Sequence, residues 1–288
     1  MFVSGYVYHI TGEWESKGNR INFILHKFLN LGIPYVVFSV FYITINSFIG
    51  ATNSNFSLSD ILFIWKEPVA QYWFLYSLLL LFVIWTVLSK WMENYQITIL
   101  MGVISFISSV TKVPLYEGIL EMLSSVVPFG VGTCMTKKSM CWLYEKAKRW
   151  YGLIVLIIHV VLTLSYVSMG DKSFLFSQAM ALLGIIASII LIVNIQRKKV
   201  IEKTLLSITK YSFAIYLLHT IFTAAIRIIL IKIGMNIYWI HVLCGFVAGY
   251  AGPVCIVIIC KKIGIYDYLF APARALEKQN SSLLKREN

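Results

Sequence analysis

Apolar residues gather into runs of similar length along the whole chain. The runs fall at roughly 28–49, 71–89, 97–111, 117–135, 151–169, 174–195, 211–230 and 239–260. A helix rising ~1.5 Å per residue needs about 20 apolar residues to cross the hydrocarbon of a bilayer. The pattern therefore predicts eight spanning helices, of which 97–111 is the shortest. Residues 1–8, MFVSGYVY, read as the end of a further helix, and 9–27 as a polar, basic connection. The tail from 261 is polar and is expected to fray past Leu276. No internal repeat and no inserted soluble domain interrupts the series. The fold expected is an all-α, polytopic membrane helix bundle of about eight full spans plus an N-terminal helix stub. It forms one membrane domain over 1–270, followed by a polar cytoplasmic tail over 271–288.

One run carries more than apolar residues. Within YSFAIYLLHTIFTAAIRIIL, a helix with 100° per residue places Ser212, Tyr216, His219, Thr220, Thr223 and Arg227 in one arc of roughly 100°. Along the helix axis this seam covers on the order of 22 Å, most of the hydrocarbon thickness. Lipid cannot solvate such a seam, so it must face other helices or a wet cavity. Polar residues that only tie helices together would also produce it. A histidine and an arginine on the same seam favour a site.

Charge decides sidedness. If 9–27 is cytoplasmic, the inner segments hold 20 of the 25 Lys and Arg residues, and the outer segments hold Lys66, Lys112, Lys172 and Lys232. That is a positive-inside distribution with both ends of this chain in the cytoplasm, and it keeps 97–111 as a span. Composition agrees: 59% of residues are hydrophobic and 13% charged, about half the charge of a soluble domain. The net charge of +12 sits in the short connections, which argues for topology and against nucleic acid. Cys134, Cys141, Cys244, Cys255 and Cys260 form no CxxC pair, so neither a disulfide framework nor a metal site is expected. The outer segment 50–70 carries an amphipathic DILFIW, with Trp65 as an interfacial anchor, and Trp73 opens the next helix.

Among residues that carry chemistry, His219 lies near mid-membrane, where a neutral imidazole can act as general base toward a hydroxyl. Arg227 lies about two turns further out and needs a carboxylate, helix-end carbonyls or an anionic ligand. Glu121, at similar depth, is the partner expected, and Glu117 one turn earlier reads as solvated. His159, His241 and His26 read as structural or interfacial. The basic segments KKSMCWLYEKAKR and RKKVIEK read first as topology determinants, and secondly as cations for the phosphates of a cytosolic donor. Nucleophile elbow, P-loop and HExxH motifs are missing.

Four motifs in order resemble acyltransferase family 3, the bacterial integral-membrane O-acyltransferases. They are FVSGY at Phe2–Tyr6, HKFLNLGIPYVVFS at His26–Ser39, PVAQYWFLYSLL at Pro68–Leu80 and SFAIYLLHTI at Ser212–Ile221. The resemblance covers nearly the whole chain and implies a bundle of ten spans with both ends inside. It implies transfer of an acyl group, most often acetyl from acetyl-CoA, to a hydroxyl of a lipid-linked or surface glycan. No cofactor stays bound, because the acyl-CoA is a donor substrate, and the partners are membrane lipid and the saccharide acceptor. By motif, Ser4, Gly5, Tyr6, Lys27, Pro34, Tyr35, Trp73, Tyr216 and His219 are the matching positions. His219 is then the catalytic candidate, with Tyr216, Arg227, Glu121, Trp73, Ser4 and Tyr6 toward the acceptor and Arg20, Lys27 and Tyr35 toward the acyl-CoA.

Two features depart from the family pattern. Arginines usual before I-P-Y are replaced by Lys27 and Asn30, which weakens bidentate phosphate binding. The family's first helix, with its usual catalytic histidine, and half of the next are missing, so the chain reads as an N-terminally incomplete form. Two other readings remain at this stage: a truncated, non-catalytic relative of that fold, and a small-solute transporter. Against the transporter stand the absence of pseudo-symmetric halves and of paired broken helices.

Overall fold

A computed structural model describes residues 1–12, 20–49, 56–147, 151–168, 173–195, 203 and 206–287. Among the described residues all regular secondary structure is helical. In chain order the helices are α1 (Phe2–Thr11), α2 (Arg20–Lys27), α3 (Ile33–Ile49), α4 (Trp73–Leu88), α5 (Asn94–Thr111), α6 (Glu117–Cys134) and α7 (Lys137–Ala147). They continue as α8 (Tyr151–Ser168), α9 (Phe174–Ile195), α10 (Ser212–Lys232), α11 (Tyr238–Lys262), α12 (Tyr266–Phe270) and α13 (Pro272–Glu287). A π-helical turn, Phe28–Gly32, joins α2 to α3. Short 3₁₀ segments lie at Leu58–Phe63 and Ala70–Tyr72.

Among the described residues six helical stretches are long and apolar enough to cross a membrane: Arg20–Phe48, Ala70–Leu88, Asn94–Thr111, Phe174–Val193, Ser212–Lys232 and Tyr238–Lys262. α6 and α7, bent by 100° to each other, pass the same test only as a pair, as a broken span or a re-entrant loop does, and the apolar part of α8, Leu153–Ser165, is shorter. The short run 97–111 is confirmed as a helix and gains its first turn from a capping box, in which the Glu93 N–H donates to Gln96 Oε1 at 2.9 Å. Two expectations change. The basic connection is helical from Arg20 onward, because Phe23 can be buried while its polar neighbours stay outside. Beyond 270 the chain is also helical, through Glu287, rather than frayed past Leu276.

The chain divides into two compact units, each built from separated segments. The first comprises Met1–Ile24 and Leu80–Leu205, the second Leu25–Leu79 and Leu206–Asn288. In the first, α1 crosses α6 through glycines: a Cβ on Gly5 would stand 2.1 Å from the Phe129 carbonyl oxygen, and one on Gly132 2.2 Å from that of Phe2. Backbones approach this closely only where both side chains are missing, which is how small residues join helices in lipid. Gly5 is the glycine of the FVSGY motif. Around the crossing an aromatic group fills the interior, with Phe129 centred 5.0 Å from Trp85, 5.6 Å from Phe82 and 6.4 Å from Tyr8. Buried Trp85 keeps its indole N–H satisfied by donating to Thr133 Oγ1 at 3.2 Å.

The second unit has its own core, drawn from α3, the 56–72 segment, the start of α4, α10, α11 and α12. Tyr35, Phe38, Ile43, Tyr72, Leu75, Leu217, Leu218, Val257 and Phe270 are buried there. Ile64 of DILFIW is buried with them, while Trp65 is exposed, as an amphipathic segment requires.

Candidate active site

The seam predicted on α10 is present, and a polar turn from 146 to 149 residues earlier in the chain docks on it. That turn, Ala70–Tyr72, precedes α4. Its first residue, Ala70, is left-handed at φ 46°, a conformation costing a non-glycine residue of order 1 kcal/mol. Four hydrogen bonds hold the turn. Gln71 Nε2 donates to Thr220 Oγ1 at 2.7 Å and to the Leu217 carbonyl at 3.3 Å. The Tyr72 hydroxyl donates to the same carbonyl at 2.8 Å, and the Tyr216 hydroxyl donates to the Gln71 carbonyl. A Leu217 carbonyl with two side-chain donors of this kind is an unusually polar spot within an apolar helix. Phe74 lies between Trp73 and Tyr216, with ring centroids 6.1 Å and 5.6 Å away. The structure thus brings Trp73 and Tyr216 into one neighbourhood.

His219 and Thr223 occupy the other flank of the seam, against α11. A Cβ on Gly249 would stand 2.8 Å from Thr223 Cγ2 and 3.7 Å from His219 Cβ, and one on Gly252 would stand 2.3 Å from the Phe222 ring. Glycines at these positions let α11 lie close to α10. Nδ1 of His219 is 2.9 Å from the Ile215 carbonyl and 3.0 Å from that of Tyr216. Carbonyls only accept, so Nδ1 is the nitrogen that carries hydrogen, and in the neutral ring Nε2 holds the lone pair. A base is available at Nε2, oriented by the helix's own backbone. The opposite face of α10 is apolar: Leu218, Ile221 and Phe222 line a cavity of about 320 Å³ with Phe38, Ile256 and Phe270.

The remaining predicted residues are distributed as follows. Arg227, about 12 Å beyond His219 along α10, is exposed in the second unit. Glu121, half-buried on α6, belongs to the first unit, as do Ser4 and Tyr6 on α1, flanking the Gly5 crossing, and Arg20. Lys27 and Tyr35 belong to the second. Tyr35 lies about 12 Å further along the helix than Lys27, is buried, and donates to the Ile64 carbonyl at 2.5 Å. Its hydroxyl therefore fixes the 56–72 segment. The other histidines lie elsewhere: His9 Nδ1 is 3.2 Å from the Asn94 amide, His159 seats on Gly184, where a Cβ would meet its ring at 3.2 Å, and His241 Nε2 donates to the Met235 carbonyl at 2.6 Å. His26 lies 3.4 Å from the Asn30 amide. Among the described residues there is no cluster of three or more His, Cys, Asp or Glu that could hold a metal ion. Of the basic segments, RKKVIEK lies mostly outside the described residues.

Gln71 and Tyr72 are the residues that motif reading passed over. The available signal was a glutamine, with Pro68 three residues before it, just ahead of a long apolar helix.

The acyltransferase family 3 model, an acyltransferase domain, matches residues 1–258. No curated protein and no solved structure shows significant similarity to the chain.

Proposed function

We propose, from the premise that the chain belongs to acyltransferase family 3, that it is an O-acyltransferase of the cell membrane. It moves an acyl group, acetyl in the simplest case, from a cytosolic acyl-CoA to a hydroxyl of a cell-surface or lipid-linked glycan. Both ends of this chain then lie in the cytoplasm, following the charge distribution. The observation that carries the reading is His219, with Nδ1–H held by two backbone carbonyls and Nε2 left as a base on a polar seam. In the reaction Nε2 takes the proton of the acceptor hydroxyl as its oxygen attacks the thioester carbonyl carbon. The carbon–sulfur bond breaks, and the thiolate of CoA leaves and is protonated. Tyr216, Trp73 and Arg227 of the same unit serve the acceptor, and Lys27 serves the donor phosphates. An arginine in an apolar helix is costly unless it meets an anion, which fits a charged acceptor group.

The test uses membranes containing the protein and acetyl-CoA labelled in its acetyl group. Label should enter envelope glycan in a form released by mild base, as an ester is. No incorporation above membranes lacking the protein contradicts the reading.

A further inference from the structure

Gln71 has one atom that its turn does not use. Its amide orientation is fixed, because the Leu217 carbonyl can only accept and so must face Nε2. Oε1 is consequently turned away from Leu217, and it is buried without a hydrogen-bond partner among the described residues. Gln178 Oε1 is the other side-chain amide oxygen in this state among the described residues, and a buried acceptor of this kind calls for a donor from outside the chain. At Gln71 it coincides with a second departure, the left-handed Ala70 immediately before it. Strained backbone persists where the surroundings over-determine it, and such positions cluster at ligand sites. Both features sit on the helix of His219, through Leu217 and Thr220, two residues before it and one after.

We infer that Gln71 is the hydroxyl-reading residue of the acceptor subsite: its Oε1 accepts a hydrogen bond from a hydroxyl of the acceptor, while Nε2 anchors the turn to α10. The chemistry sets the class of ligand. An amide oxygen cannot donate, so it rejects phosphate, carboxylate and ester oxygens and takes an O–H or N–H. This excludes the CoA phosphates and suits a hydroxyl-rich acceptor. The inference rests on the acyl-transfer reading and adds to it a residue that positions the sugar hydroxyl in competition with water.

The experiment measures two fluxes in the same membranes: labelled acetyl entering the envelope glycan, and labelled acetate released by hydrolysis of acetyl-CoA. Gln71→Leu should lower the ratio of transfer to hydrolysis roughly 10- to 100-fold, the loss expected when a buried hydroxyl contact disappears. Thr220→Val removes the shorter of the two Nε2 anchors without touching Oε1, and should move both fluxes together with the ratio kept. Gln71→Met, close in length and volume, repeats the measurement if the leucine variant fails to accumulate, and it should show the same fall. A ratio unchanged in both Gln71 variants, whether the fluxes persist or fall together, makes Gln71 a turn anchor only and overturns the inference. If wild-type membranes transfer nothing, the acyl-transfer reading fails, and this inference falls with it.

Discussion

The glycine crossing of α1 and α6 gives the most quantitative prediction. Ordinary contact of a Cβ begins near 3.4 Å, whereas at Gly5 it would stand 2.1 Å from a backbone oxygen. The overlap is about 1.3 Å, and no rotamer relieves it because the obstacle is main chain. Gly5→Ala must therefore push α1 off α6. Overpacking of this kind costs ~1–3 kcal/mol, with this case at the upper end. Against it, alanine gains up to ~1 kcal/mol of helix propensity over glycine. The net loss expected is about 2 kcal/mol. Gly132→Ala, at 2.2 Å from the Phe2 oxygen, should behave alike. Gly252→Ala meets a ring, and Gly249→Ala a methyl that can rotate, so both should cost less, in that order. Gly245→Ala meets nothing within 4 Å and should be neutral or slightly stabilising. Thermal unfolding of the purified proteins, followed by tryptophan fluorescence, ranks the five. If Gly5→Ala and Gly132→Ala melt with Gly245→Ala, the crossing is not as close as described and the reasoning fails.

Two further outcomes follow from the same geometry. Tyr72→Phe removes one donor from the Leu217 carbonyl and nothing else, so stability should fall by about 1 kcal/mol. A drop beyond ~3 kcal/mol would mean that the hydroxyl does more than satisfy that oxygen. For topology, Ser139→Cys in a cysteine-free background should resist a membrane-impermeant thiol reagent in intact cells and react once the cells are opened. Labelling of intact cells would reverse the orientation of α7 and of every segment assigned from charge.

Much of the fold can be read from residue pattern alone, because in lipid each spanning helix must carry its own apolar run and satisfy its own backbone. Short α5 and the seam of α10 were visible for that reason. The contacts that build the site were not. Gln71 and Thr220 are 149 positions apart, and the other bonds end on backbone carbonyls, those of Leu217 and of Gln71 itself. Backbone acceptors leave no trace in side-chain pattern. Gly5 stood in a motif, but Gly132 opposite it carried no signal of its own. The helix over 20–27 was hidden by polar composition, since one buried residue, Phe23, is enough to seat it. For Tyr35 a motif match suggested the acyl donor, and the structure adds a packing role that the motif did not show, its hydroxyl donating to the Ile64 carbonyl.

His219→Gln tests the central claim most directly. Glutamine keeps a polar, hydrogen-bonding side chain of similar volume, so α10 should pack and insert as before. What it removes is the base at Nε2. Label transfer from acetyl-CoA to the envelope glycan should fall by about 10²–10⁴, the contribution of a positioned acid–base group. A His219→Gln protein present at the wild-type level and transferring acetyl at the wild-type rate would contradict the account.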